Sequence, residues 1–373
     1  MQRAIRQYRA GFYELLRDDL ARDGIELLLF HSNRPPDEDP RDDAIDVPWA
    51  HHLPRRTFYL GRQHLVWQPF DRELRHTQLV IVEQAADLVL NYRLLWWQRR
   101  GRGRVAFWGH GRNFAEDRSS LAERIKRRVS GRVHWWFAYT SLSADIVAEL
   151  GVDRERITVV DNAIDTAEMR RDMASVRAGT DAPLRRELGL GDGPVGVFLG
   201  TFRPNKRIDL LLEAAERIHT VHPGFRLLLV GSGPGEDELR ARAEREPWLR
   251  YLGPRFGRDR TEVLAAADLL LLPGWVGLVV LDSFVAGTPL VTSRDSPHGP
   301  EIAYLRDHEN GRFVDDGGDP ARYAAAVMEL IEDPDLLGRL VAGCASDATR
   351  YSHEAMAARF ADGIRRALAA PSR

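Results

Sequence analysis

The segment LLPGWVGLVVLDSFVAGTPLVTS, residues 271–293, decides how the chain is read. It closes a strand running from Leu269 to Leu272, breaks at Pro-Gly, and continues as a short apolar helix. Gly287, Thr288 and Pro289 then hand over to a second strand, LVTS. One carboxylate, Asp282, stands in the first turns of that helix, behind a Trp-Val-Gly loop. A carboxylate in so apolar a helix needs a reason.

Outward from this segment the pattern repeats. VGVFLG (195–200), FRLLLVG (225–231), LRYLG (249–253), LLLLP (269–273), PLVTS (289–293) and GRFVDD (311–316) are apolar runs of strand length. Between them lie helix-period stretches such as IDLLLEAAERIH and RTEVLAAAD. Continuous apolar strands separated by amphipathic helices predict a parallel sheet covered on both faces. The first half repeats this less cleanly. Phe12, Leu15, Leu16 and Leu20 share a helical face, and IELLLF (25–30), LVIVE (79–83), VAFWG (105–109), WWFAYT (135–140) and ITVVDN (157–162) are strand candidates. MQRAI is too short and polar to make a good opening strand, so that strand is abbreviated or lies upstream. The expected fold is α/β, with two Rossmann-like doubly wound domains facing a central cleft. The expected domains are 1–172 on the acceptor side and 173–350 for a donor. A helix over 351–373, with Met356, Phe360, Ile364 and Leu368 on its apolar face, is expected to cross back to the first domain.

A chain of 373 residues exceeds one ordinary core and favours two. Charged residues are 29% and the net charge is −2, which gives no polyelectrolyte character and no reason to expect nucleic acid. The single cysteine, Cys344, forms no intramolecular disulfide and is read as buried and inert, in keeping with a reducing compartment. No apolar run reaches the ~18 residues of a membrane span, and the first residues lack a signal-peptide core. A cytoplasmic location is expected. Charge is uneven, however: residues 93–132 hold twelve Lys or Arg against three Asp or Glu, with Trp96, Trp97 and Trp108 among them. A peripheral contact with an anionic membrane is one reading of this segment. A solvated basic face over core tryptophans is the other, and it is preferred.

Parallel sheets bind ligands at the carboxyl ends of their strands, where helix N-termini present amides to anions. Three strand ends in the second half have suitable chemistry. GTFRPNKR (200–207) offers Gly200 and Thr201 at a strand end, with Arg203 and Lys206 as phosphate ligands. VGSGPG (230–235) offers Gly231 and Gly233 for close approach to backbone, though strand-to-helix turns need glycine on steric grounds as well. In the opening segment, Gly277, Leu278 and Val279 would supply unpaired amides to a diphosphate, and Asp282 would accept hydrogen bonds from vicinal hydroxyls. Asp282 alone is equally well explained by the helix macrodipole. Beside a basic loop and a glycine turn, the nucleotide-sugar reading is the stronger.

The run GTFRPNKRIDLLLEAA, LLLVGSGPGEDEL, RYLGPRF, AADLLLLP, GLVVLDSFVAGTPLVTS and ENGRFV resembles the donor domain of retaining GT-B glycosyltransferases of family 4. YTSLSADIVAELGVDRERITVVDNAID, with Asn162 and Asp165, is similar to that family's segment leading into the linker. The resemblance implies transfer of a sugar from a nucleoside diphosphate to an acceptor hydroxyl with retention, and no cofactor beyond the nucleotide sugar. It implies that Lys206 binds the diphosphate and that Asp282, shortened from Glu, is the second acid of the family's E-x7-E pair. The first acid is replaced by Gly274, which makes His298 and Glu301 the candidates for the lost sugar contact. In the first domain FWGHGRNF (107–114) puts His110 between glycines at a strand end, where the family commonly has a histidine near the donor sugar. Arg112, Tyr8 and Arg9 are placed on the acceptor side. The acceptor class expected is a glycan, a lipid-linked molecule or a small molecule. Asp37, Glu38 and Asp39 spell D-x-D but sit in a polar loop, read as a solvated turn, and no metal is expected. A nucleotide-sugar epimerase and a nucleotide-sugar-binding protein without turnover are the competing functions.

Overall fold

The computed structural model describes residues 1–2, 5–32, 47–60, 63–70, 72–112, 128–178 and 183–372. Asp37, Glu38 and Asp39 lie outside them. The chain forms two compact units, Met1–Asp165 with His353–Arg373, and Thr166–Ser352. Among the described residues no helix is long and apolar enough to cross a membrane.

The first unit carries short parallel strands β1 (Phe30–Ser32) and β2 (His51–Leu53), and an antiparallel hairpin of β3 (Arg56–Leu60) and β4 (Gln63–Trp67). Its main sheet is parallel and follows chain order: β5 (Leu79–Glu83), β6 (Arg104–Gly109), β7 (Trp135–Ala138) and β8 (Ile157–Val159). IELLLF contributes only Phe30 to a strand, and Gln2 makes one isolated bridge to His31. The first helix, Ala10–Ala21, buries Phe12, Tyr13, Leu16 and Leu20 and leaves Leu15 exposed. Helix His353–Ala369 packs along it within the same unit and seats Met356, Phe360 and Ile364 in the core. Phe360 stacks on Phe137 of β7, with ring centroids 4.3 Å apart.

The second unit is a six-stranded, all-parallel sheet. Its strands are β9 (Val195–Leu199), β10 (Arg226–Val230), β11 (Leu249–Gly253), β12 (Leu269–Leu271), β13 (Leu290–Ser293) and β14 (Gly311–Val314). The order across the sheet is β11-β10-β9-β12-β13-β14. Numbered within the unit this is 3-2-1-4-5-6, the doubly wound order, and its switch point lies between β9 and β12. Residues 167–178, which carry too few apolar residues to read as an element, form a helix of this unit. Two methionines one turn apart, Met169 and Met173, are buried, and the helix packs against helix Gly257–Ala265. Cys344 is buried, its thiol pushed up to about 12 by burial and donating to the carbonyl of Asn310 at 3.1 Å.

Candidate functional site

At the switch point the chain leaves β9 through Gly200 and Thr201 and makes a tight 3-10 turn, Pro204–Lys206. Arg207 closes that turn in the left-handed region, at φ 55°. Its guanidinium holds the position by donating to Ser296 Oγ at 3.0 Å and pairing with the buried Asp316 at 3.5 Å. Lys206 therefore points back over the sheet end. Its Nζ donates to the carbonyl of Trp275 at 2.6 Å and lies 3.8 Å from where a Cβ on Gly200 would stand. One ammonium thus bridges the carboxyl ends of β9 and β12.

Among the described residues no carboxylate pairs with that ammonium, and burial lowers its pKa to about 8. Keeping it charged at neutral pH costs on the order of 3 kcal/mol, a cost that a bound anion would offset. The helix beyond Trp275 begins at Val279 and has no side-chain cap. The amides of Gly277, Leu278 and Val279 make no hydrogen bond to the described protein, and an added Cβ on Gly277 would meet only the Trp275 indole, at 3.8 Å. Arg203, at the start of the 3-10 turn, is exposed. A cation without a counter-ion, three orphan amides and an exposed arginine line this strand end.

Gly274 has a different role from a deleted acid. A Cβ there would lie 2.2 Å from the carbonyl oxygen of Asn205 and 2.5 Å from Cα of Lys206. The amide of Trp275 donates to the Asn205 carbonyl at 2.7 Å, so the loop after β12 and the 204–206 turn are in backbone contact. Only glycine fits, and that contact is what seats Lys206.

Asp282 is 4% exposed, and its Oδ1 lies 3.4 Å from Arg260 Nη2 without making a hydrogen bond. Burial raises its pKa, while Arg260 opposes the rise. His298 spends both ring nitrogens on backbone: Nδ1 accepts from Val276 N–H at 3.2 Å, and Nε2 faces the carbonyl of Ser293 at 2.9 Å. That pairing selects the neutral tautomer with the proton on Nε2, and burial lowers the pKa against the opposing pull of the Ser293 carbonyl. No ring nitrogen is left for a sugar, which corrects the expectation for His298. Glu301, 6% exposed, reaches the same loop: a Cβ on Gly299 would lie 2.9 Å from its Oε2 and 3.1 Å from the carbonyl of Val276.

The glycine turn has a steric role. A Cβ on Gly231 would sit 1.8 Å from the Gly200 carbonyl oxygen, and one on Gly233 would sit 2.9 Å from the Phe202 amide nitrogen. These glycines let the loops after β9 and β10 pack backbone to backbone, with Phe202 N–H donating to Ser232 O at 3.0 Å. Gly231→Ala, at φ 143° and against a carbonyl, is expected to cost more than about 2 kcal/mol of stability in thermal melts; an unchanged melt would refute the steric role.

In the first unit, His110 follows β6 and packs edge-on against Tyr139, centroids 4.0 Å apart. Its flanking glycines are again steric: a Cβ on Gly109 would approach Gln84, and one on Gly111, at φ 79°, would approach Ile146. The Gln84 side-chain amide pairs with Gly111 in both directions, donating to its carbonyl at 2.9 Å and accepting from its N–H at 3.0 Å, and so fixes the turn carrying His110. Arg112 follows, half-buried. Arg9 does not line an open surface. It is 7% exposed, with Trp108 4.5 Å below its guanidinium and Tyr8 beside it. It donates to Tyr139 Oη at 3.0 Å and to Asn162 Oδ1 at 3.2 Å. Asn162 is thereby explained as Arg9's acceptor. No signal in the sequence joined residues so far apart.

Two sheets of this kind, the second with its switch point so furnished, define the GT-B class of α/β proteins. The chain superposes on the lipopolysaccharide outer core galactosyltransferase WaaB with a TM-score of 0.62 at 14% identity, covering 98% of each chain. It superposes on Anabaena HepE, solved with UDP, with a TM-score of 0.60 at 18% identity, covering 79% of this chain and 80% of that one. The pattern of "Glycosyltransferase Family 4" matches residues 13–168, and that of "Glycosyl transferases group 1" matches residues 193–333. The chain belongs to the group 1, family 4 glycosyltransferases. A curated relative, the D-inositol 3-phosphate glycosyltransferase of Acidothermus cellulolyticus, is 36% identical over 222 residues, which is 54% of this chain and 46% of that protein. The chain spans about half the length of the first such relatives it matches.

Proposed function

We propose that this protein transfers a sugar from a nucleoside diphosphate to an acceptor hydroxyl with retention of anomeric configuration. The reading rests on the half-buried Lys206 ammonium, which has no carboxylate partner among the described residues and stands at the switch point beside an uncapped helix N-terminus. Those groups meet the diphosphate, Lys206 as a point charge and the 277–279 amides as a cradle, with Arg203 closing from solvent. Asp282 accepts from the ribose hydroxyls, and Glu301 is the carboxylate for the donor sugar in place of the one Gly274 excludes. The bond between the anomeric carbon and the diphosphate breaks, and the electron pair leaves on phosphate oxygen, where the cations and amides stabilise it. The acceptor oxygen bonds to the same face of the sugar, and its proton passes to the departing phosphate. The first unit takes the acceptor, with His110 and Arg112 as its working side chains and Arg9 and Tyr8 as their support.

Incubation with a panel of nucleotide sugars and candidate acceptors separates the alternatives by mass spectrometry. Transfer gives a glycosylated acceptor and free nucleoside diphosphate, epimerisation gives an isomeric sugar, and a binding protein releases nothing. UDP-sugars are the first to try, because HepE was solved with UDP. Asp282→Asn is expected to weaken donor binding about tenfold by calorimetry; unchanged affinity would leave Asp282 as the partner of Arg260 alone.

A further inference from the structure

The helix Val89–Arg99 turns Leu90, Leu94 and Trp97 into the core of the first unit. Its opposite face should then be polar. Instead it exposes Tyr92 and, one turn on, Trp96, which is 52% exposed. These rings, with Phe70, form the apolar part of a pocket of about 790 Å³ whose remaining wall includes Arg75, Arg93 and Arg102. Arg75 and Arg93 both stand over Phe70, 5.5 and 5.8 Å from its ring centroid, and Arg100 lies 3.6 Å over Trp96. Among the described residues none of these four arginines has an ion-pair partner. The adjoining hairpin, tied to the start of this helix by the Val66–Leu88 bridge, exposes Phe58 at 53% and Tyr59 at 65%.

Like charges gathered without an acid repel one another, and an anion among them relieves the repulsion. The apolar walls require that the anion carry something apolar. We propose that this pocket binds the phosphate headgroup of an anionic phospholipid, with Trp96 resting at the bilayer interface. Arginine forks meet the phosphate while the rings meet the glycerol and upper acyl region. The sequence favoured a solvated basic face over core tryptophans. Trp97, Trp108, Trp135 and Trp136 are core, but Trp96 is not.

Flotation with vesicles tests this. The protein is expected to float with phosphatidylcholine vesicles containing 30% phosphatidylglycerol at least about tenfold better than with phosphatidylcholine alone at 0.1 M salt. Arg93→Glu with Arg102→Glu should abolish the difference, and Arg93→Gln with Trp96→Ala should reduce binding several-fold, with unchanged thermal melts because these side chains are on the surface. Inorganic phosphate at 1 mM should not displace the protein. Equal flotation with neutral vesicles, full flotation of the charge-reversed variant, or displacement by inorganic phosphate would overturn the assignment; the last would make the pocket a site for free phosphate.

Discussion

Lys206→Ala is expected to lower turnover by about 10²–10³-fold or more, the scale of losing an electrostatic group aimed at developing charge. Affinity for the nucleoside diphosphate should fall by about tenfold to a hundredfold, since a charge-assisted contact is lost. Thermal stability should hold or rise slightly, because the variant no longer holds a half-buried charge without a counter-ion. That combination separates a binding role from a folding role: a structural lysine would lose stability together with activity. The pH dependence follows from the direction of the shift. Lys206 has a pKa of about 8 in the folded chain and the ordinary, higher value when unfolded. The unfolded chain therefore binds more protons between these values, and this residue's penalty on stability is full below about 8 and relieved as pH rises through them. Donor affinity runs the other way. It should be constant below about pH 8 and fall above it, by up to tenfold per pH unit, as the free protein loses the proton that the diphosphate needs.

Gly274→Glu, which restores the family's usual acid, is expected to damage the site. The new Cβ collides with the Asn205 carbonyl and the Lys206 backbone, and neither is the end of a flexible side chain. Overpacking of this kind costs about 3 kcal/mol or more, roughly 6–12 °C in the melt of a domain this size. If the fold yields instead, the 204–206 turn moves and Lys206 leaves Trp275, so donor affinity should drop about as far as in Lys206→Ala. Gly274→Ala should show a smaller version of the same loss. A Gly274→Glu protein with wild-type stability and raised turnover would mean that the site merely lacks an acid and that the contact between the two loops is incidental.

The second unit was legible because its strands are buried on both faces. Apolar runs such as FRLLLVG and LLLLP announce themselves when both sides of a strand need hydrophobic residues. The hairpin Arg56–Leu60 and Gln63–Trp67 gave no comparable signal, because both of its faces meet water, Phe58 exposed on one and its strand neighbour Tyr59 on the other. Helix 167–178 was hidden for a related reason: only Met169 and Met173 show which side is buried. At the site, spacing pointed to Lys206 and to the helix carrying Asp282. It did not reveal Lys206's seat on the Trp275 carbonyl, nor the Arg260–Asp282 and Arg9–Asn162 pairs, which depend on separate segments converging. Glycines misled in one consistent way. Gly231, Gly233, Gly109 and Gly111 stand where function was expected, and each makes room for protein.

If the Lys206 ammonium grips the donor's diphosphate, binding must carry a proton signature. Calorimetric titration at pH 8 with UDP, GDP, ADP and dTDP, in two buffers of different ionisation enthalpy, counts the protons taken up on binding. Uptake of about half a proton is expected for the wild type with whichever nucleotide binds, and none for Lys206→Ala, which binds that nucleotide weakly. Binding of equal strength in both proteins with no proton uptake in either would contradict that grip.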